Sequence, residues 1–181
     1  MLIFLGLVIL VAAGAVLLYN RFVRQKNVVS EAWSGIDVQL RRRYNLIPNL
    51  VNTVKGYSRH ERSLFEEVTK ARARAIDARG PASQGRAENA LTGALKNLFA
   101  VAENYPELKA NQNFLDLQKN LSDIENEIQL ARRFYNGAVR EYNISVDSFP
   151  GMVIARLFNF RKEEFFEIEM ATEREVPEVK F

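Results

Sequence analysis

Between Phe114 and Tyr142 the residues Phe114, Leu117, Leu121, Ile124, Ile128, Ala131, Tyr135, Ala138 and Tyr142 follow one another at steps of three and four without a slip. Eight steps over 28 residues give a mean period of 3.5, that of a heptad seam, and the positions between are mostly Gln, Lys, Asn, Asp, Glu and Arg. One helix cannot bury so narrow a stripe by itself. The seam demands other long helices, from the same chain or from another copy, and this demand sets the fold class: all-α, an antiparallel bundle of long helices.

A partner seam lies upstream, in Trp33, Ile36, Leu40, Tyr44, Ile47, Val51 and Val54. Pro48 removes one backbone donor and crowds the carbonyl four residues back, so the expectation is a kink near Tyr44 to Pro48 or a fresh helix start there, and the phase kept across the proline favours a kink. After Gly56 the pattern resumes with Leu64, Phe65, Val68, Ala71 and Ala75 and stops at Gly80-Pro81. Val28 to Arg79 is therefore expected as one helix of about 77 Å. Residues 80 to 87 read as a loop, and Ala87 to Glu103 as a shorter helix with Leu91, Ala94, Leu95, Leu98 and Ala102 on its apolar face. Pro106 suits the first position of the helix that carries the opening seam, placed at Asn111 to Asn143. Phe149-Pro150-Gly151 breaks it, and Met152 to Phe158 forms a short apolar helix. Phe158, Phe160, Phe165 and Phe166 read as a cap on the open end of the bundle, or else as a contact with a partner or a membrane surface; the chain closes in an extended or frayed tail around Val176-Pro177.

Ahead of both seams, Met1 to Tyr19 carries no charged residue. Leu2 to Tyr19, as a helix rising about 1.5 Å per residue, nearly matches a hydrocarbon core of roughly 30 Å. A cleaved leader fits less well: no basic region precedes the apolar run, and Val16, Leu17 and Leu18 extend it beyond the small residues Ala13-Gly14-Ala15. Arg21, Arg24 and Lys26 follow at once, and basic flanks stay on the cytoplasmic side. The expected plan is a transmembrane anchor at 1–20 in the cell (inner) membrane with its N-terminus outside, a cytoplasmic helical bundle at 21–160, and a C-terminal tail at 161–181.

Composition narrows the chemistry. There is no cysteine, which excludes disulfides, thiol catalysis and cysteine-bound metal sites. The single histidine, His60, falls in the charged run Arg59-His60-Glu61-Arg62 and reads as a solvated surface group on a helix. A di-iron bundle needs two Glu-x-x-His motifs, and the chain has none. Gly80 and Gly85 flank a turn without the Lys-Ser/Thr of a phosphate loop. No catalytic residue, metal site or cofactor is expected. Charge is uneven: residues 21 to 79 hold 13 Lys/Arg against 6 Asp/Glu, while the remainder of the chain is net acidic.

Two constellations remain as candidates. Arg41, Arg42 and Arg43 either pair with carboxylates of the acidic half, such as Asp123, Glu125 and Glu127, or meet lipid headgroups or a protein partner. Nucleic acid is not expected, since no interleaved aromatic platform or recognised nucleic-acid fold accompanies them. Asn45, Asn49 and Asn52 share a helix face, and Tyr135 and Tyr142 are each followed by an amide, Asn136 and Asn143. Such groups at heptad spacing can form buried hydrogen-bonded layers that set register, or line a ligand site.

These residues also carry a resemblance. The run Arg41-Arg42-Arg43-Tyr44-Asn45-Leu46-Ile47-Pro48-Asn49-Leu50-Val51-Asn52-Thr53-Val54-Lys55-Gly56-Tyr57 resembles the signature of the LemA family of bacterial membrane proteins. So do Tyr105-Pro106-Glu107-Leu108-Lys109-Ala110-Asn111, Arg132-Arg133-Phe134-Tyr135-Asn136, Tyr142-Asn143 and Phe149-Pro150, in the same order. The resemblance implies one N-terminal span, a cytoplasmic bundle of long antiparallel helices and no enzymatic activity. It further implies roles in membrane-associated signalling or assembly, and in specialised relatives the formation of organelle membranes. The functional expectation is a non-enzymatic, membrane-anchored scaffold or adaptor for a protein partner; the alternative is a lipid-binding or membrane-shaping protein that self-assembles. The partners expected are the bilayer, through residues 1–20, an unidentified protein, and a second copy of the chain.

Overall fold

The computed structural model describes residues 1–58 and 60–166. They form six helices: α1 (Leu2–Lys55), α2 (Arg62–Asp77), α3 (Pro81–Ala102), α4 (Pro106–Lys109), α5 (Gln112–Asp147) and α6 (Gly151–Leu157). No strand occurs among the described residues. The fold is all-α, and it groups into two compact units, one of residues 1–38 with 129–165 and the other of residues 39–128 with Phe166.

Helix α1 is one uninterrupted helix from the apolar run through both flanking segments, and it passes Pro48 without a break. The passage has a local cause. Proline at 48 leaves the carbonyl of Tyr44 without its usual amide donor, and Arg72 of α2 supplies one, Nε donating to that carbonyl at 2.8 Å. Helix α1 ends at Lys55, where Gly56, Tyr57 and Ser58 close tight turns onto Asn52, Thr53 and Val54 carbonyls. The expected single helix from Val28 to Arg79 is thus wrong: the chain breaks at 56–61 and α2 runs back along α1. Lys55 lies over the Phe65 ring at 5.4 Å, and the Tyr44 hydroxyl reaches the Ala75 carbonyl at 3.4 Å. Folding back buries Leu64, Phe65, Val68, Ala71 and Ala75, a stripe that a straight continuation would leave in water. His60 falls in this turn, exposed, and not on a helix.

The expected loop at 80–87 is corrected as well. Gly80 adopts φ 78°, a left-handed conformation suited to glycine, and Pro81 begins α3 directly. The additional turns bring Gln84 and Glu88 onto the buried face with Leu91, Leu95 and Leu98. Pro106 does open a helix, but only the four-residue α4; α5 starts afresh at Gln112 and continues to Asp147, four residues beyond the expected end.

In the second unit the C-terminal part of α1, then α2, α3 and the first half of α5, form an up-down-up-down bundle. Its core holds Ile36's successors on the seam, Leu40, Ile47, Leu50 and Val54, with Val68, Leu91, Leu98, Leu121, Ile124 and Ile128. In the first unit, α1 and α5 pair antiparallel: Phe22 meets Tyr142 at 6.2 Å, Gln25 donates to Ser145 at 2.9 Å, and Trp33 meets Tyr135 at 5.4 Å between centroids. After α6 the chain reverses in a Schellman turn. Asn159 takes φ 58° and the Phe160 amide bonds the Ala155 carbonyl at 2.8 Å. Gly151 is required by close approach, because a Cβ there would fall 2.4 Å from the Ser145 carbonyl oxygen. The expected tail falls mostly on residues 167–181, outside the described residues.

Candidate functional site

The three arginines have different fates, set by helical phase. Ile36, Leu40, Arg43, Ile47, Leu50 and Val54 step by three and four, so Arg43 occupies the buried seam, while Arg41 and Arg42 face outward. Only 5% of Arg43 is exposed. Its guanidinium reaches Glu88 at 3.0 Å, the Thr92 hydroxyl at 2.8 Å and Glu125 at 3.2 Å. The expected pairing of this stretch with the acidic half therefore holds for Arg43 and Glu125. Sequence reasoning missed the closer partner, Glu88, because it read residues 80–87 as a loop.

Glu88 is 1% exposed and is the centre of a buried polar layer. The Tyr44 hydroxyl donates to one carboxylate oxygen, and Gln84 Nε2 donates to the same oxygen at 3.1 Å and to the Ala75 carbonyl at 3.0 Å. Burial pushes the Glu88 carboxyl above its ordinary range, against the opposing pull of Tyr44, Arg43 and Gln84. Burial likewise raises the Tyr44 phenol, and the Glu88 charge beside it adds to the shift. This layer joins four helices: Glu88 of α3 binds Tyr44 and Arg43 of α1, Gln84 reaches the Ala75 carbonyl of α2, and Arg43 reaches Glu125 of α5. With Glu88 buried and both its oxygens hydrogen-bonded, the layer works as a register device.

The sequence signal for it was available. Gln84, Glu88, Leu91, Leu95 and Leu98 step by four and three, two polar groups in an apolar phase.

Asn45, Asn49 and Asn52 are exposed, which overturns their reading as a buried register layer. They open onto the surface between α1 and α5. One cleft of about 760 Å³ is lined by Gln39, Arg42, Asn45 and Leu46 from α1 with Asn120, Asp123, Ile124 and Glu127 from α5. A second, of about 450 Å³, is lined by Asn49, Asn52 and Thr53 with Asn113, Asp116, Leu117 and Asn120. Asn120 belongs to both, so the two form one amide-rich furrow. Arg42 lines it and donates to Gln39 at 3.1 Å. A furrow this shallow and polar, with amides on both walls and carboxylates on the α5 wall, suits extended polar contacts better than enclosure of a small molecule.

The aromatic-amide pairs do different work in the first unit. Tyr135 and Tyr142 are buried and Asn136 and Asn143 half-buried. Asn143 clamps the main chain of Glu163 from both sides, Nδ2 donating to its carbonyl at 2.9 Å and Oδ1 accepting from its amide at 2.9 Å. The Tyr135 hydroxyl donates to the Glu164 carbonyl at 2.8 Å, and burial with nearby Glu163 and Glu164 pushes its phenol up to about 12. Tyr142 is raised by burial and by Glu163, and its hydroxyl has no hydrogen-bond partner among the described residues. These residues pin the segment after α6 onto α5. They do not build an interhelical amide layer.

One end of α1 stays bare. Its apolar window is long and hydrophobic enough to cross a membrane, with a mean hydropathy of 2.8 and none of it buried within the protein. An exposed helix of that kind leading into helical bundles defines a membrane-associated helical protein.

Comparison with known proteins agrees. The chain belongs to the LemA family, whose family model matches residues 32–181. It is 25% identical over 175 residues to magnetosome protein MamQ 1 of Paramagnetospirillum magneticum, covering 82% of this chain and 64% of that protein. It is 26% identical over 174 residues to magnetosome protein MamQ of Magnetospirillum gryphiswaldense, with the same coverage. Protein LemA of Metamycoplasma hominis is 26% identical over 157 residues, covering 83% of this chain and 70% of the relative. The chain thus spans just under two thirds of the MamQ proteins it matches. None of these names is that of an enzyme.

Proposed function

We propose that the protein is a non-enzymatic scaffold or adaptor, held in the cytoplasmic membrane by residues 1–20 and docking a protein partner along the α1/α5 furrow. The N-terminus lies outside and the helical units inside, as Arg21, Arg24 and Lys26 directly after the apolar run favour. The observation that carries this reading is the furrow itself. Asn45, Asn49, Asn52 and Arg42 point outward at heptad spacing along a wall opposed by Asp116, Asp123 and Glu127, although a helix face needed only for folding has no use for three exposed amides in register. Membership of the LemA family, with magnetosome proteins among the relatives, supports the setting.

The test is a photo-activatable residue at Asn49 in the full chain, irradiated in native membranes, with Glu67 on the exposed face of α2 as control. One discrete adduct with another protein at Asn49 and none at Glu67 supports the scaffold. Adducts of equal yield at both positions contradict it. An adduct of twice the chain mass favours the second reading, a lipid-binding or membrane-shaping protein that assembles with itself, which the magnetosome names of the MamQ relatives also favour.

A further inference from the structure

Helix α6 is too short to stand alone and is folded against its own unit by one side only. Gly151, Ile154 and Ala155 are buried, while the other side shows Val153 at 52% and Leu157 at 72% exposure. Phe149, just ahead of the helix, is 80% exposed, and Phe158, just after it, 51%. Four large apolar groups thus crowd one short segment whose outer face would be polar if water covered it. Arg156 is exposed between them.

The position of this patch along α1 gives its occupant. The Phe158 ring meets Tyr19 edge-on at 4.8 Å, and Phe160 lies 5.6 Å from Tyr19 and stacks on Phe22 at 5.0 Å. Tyr19 is the last apolar member of the uncharged run, and Arg21 follows two residues later, after Asn20. Tyrosine at the end of an apolar helix marks the boundary of hydrocarbon and headgroups. The segment from Phe149 to Phe158 is therefore fixed, by contacts within one compact unit, at the depth where the span leaves the bilayer.

From this juxtaposition we infer that α6 is a second membrane-contacting element, its Val153 and Leu157 face, with Phe149 and Phe158, lying in the interfacial layer of the bilayer that α1 crosses. Amphipathic helices lie at this boundary with their apolar face buried roughly 5–10 Å. Arg21 and Arg24, exposed just past Tyr19, and Arg156, exposed on α6, extend to the headgroups. The aromatic contacts to Tyr19 then join span and surface helix into one anchor within this unit. The inference rests on the reading that Leu2 to Tyr19 spans the bilayer.

The absence of cysteine makes the test direct. Single cysteines at Val153, Leu157, Leu10 and Glu141 in the full chain, all exposed positions, are spin-labelled and reconstituted in phosphatidylcholine/phosphatidylglycerol vesicles. Collision with oxygen, which concentrates in lipid, is compared with collision with a water-soluble nickel chelate. The expected result is oxygen-dominated relaxation at Leu10, Val153 and Leu157 and nickel-dominated relaxation at Glu141. Nickel-dominated relaxation at Val153 and Leu157 with Leu10 still oxygen-dominated overturns the inference and leaves the span standing. Low collision with both reagents at Val153 and Leu157 also overturns it, since protein then covers the face. Nickel-dominated relaxation at Leu10 removes the span and the inference with it.

Discussion

Arg72 of α2 donates its Nε hydrogen to the main-chain carbonyl of Tyr44 at 2.8 Å, the acceptor that Pro48 leaves without its helical amide. One side chain so repairs the defect that lets a 54-residue helix carry a proline in its interior. Replacing Arg72 by Met leaves a half-buried carbonyl without a donor and is expected to cost about 1–3 kcal/mol. In a Pro48→Ala background the restored amide occupies the same carbonyl, and Arg72→Met should cost much less. Denaturant titration of the full chain in non-ionic detergent, arranged as a double-mutant cycle, measures the coupling. A coupling near zero contradicts this account of Pro48.

The buried layer around Glu88 makes a stronger demand. Glu88→Ala leaves Arg43 with Glu125 and the Thr92 hydroxyl and removes the carboxylate that Tyr44 and Gln84 share. A loss of about 3–5 kcal/mol is expected, because the buried guanidinium loses its closer carboxylate and keeps only the partly exposed Glu125 as counter-charge. Converting both partners, Arg43→Met with Glu88→Leu, should cost clearly less than the two single changes added together. Additive losses in the same detergent titration would show that the pair is not coupled.

Acid titration separates two opposing influences on the same carboxyl. Burial raises Glu88 above its ordinary value of 4.5, so the folded chain keeps this proton to higher pH than the unfolded chain. Its contribution to stability is complete below the unfolded value and is lost as pH rises through the folded one. The stability of the wild type relative to Glu88→Gln should then be greatest in acid and should shrink toward neutrality, with a slope of at most about 1.4 kcal/mol per pH unit. A relative stability that grows with pH would show that Arg43 outweighs burial.

How far the fold could be read in advance depended on whether a feature follows helix periodicity. The α1 and α5 seams repeat at 3.5 over many turns, and the structure buries Phe114, Leu121, Ile124, Ile128, Tyr135 and Tyr142 as that repeat requires. Between Ile128 and Tyr142 the burial shifts to Val139, leaving Ala131 and Ala138 half-buried, because a helix of 3.6 residues per turn drifts against a strict heptad. The break after Lys55 was missed because Leu64 to Ala75 repeats just as helically; nothing in a period tells a straight helix from one that turns back. At the furrow, composition indicated the right residues and the wrong setting. Asn49 and Asn52 share a face, but only the burial of Leu50 and Val51 on the other side of α1 decides that this face looks outward. Arg43 was hidden within a run of three arginines, where charge suggests solvent and only its phase with Leu40 and Ile47 indicates burial.

That outward setting makes Asn49 and Asn52 separable from folding. Replacing both by Leu should change stability by no more than about 0.5 kcal/mol per site, as expected for surface positions away from caps and networks. Helix content by circular dichroism should be unchanged. A large destabilisation, or a change of oligomeric state by light scattering, would return them to a structural role.

In the other unit, Asn143 is structural despite being half-exposed. Asn143→Ala removes both bonds to the Glu163 main chain, and hydrogen exchange of amides 160–166 should quicken by roughly tenfold or more, corresponding to about 1–3 kcal/mol. Exchange within α5 should be little changed. Tyr135→Phe, which removes only the bond to Glu164, should produce a smaller increase over the same amides.

The claim that most needs a direct measurement is that a membrane-held chain presents the α1/α5 furrow to the cytoplasm. A single cysteine at Asn49, in a chain that otherwise has none, can be probed in intact bacterial cells with a membrane-impermeant thiol reagent. The expected outcome is no labelling until the cells are opened, with the labelled chain remaining in the membrane pellet through an alkaline carbonate wash. Labelling in intact cells, or release of the chain into the wash, would contradict the account.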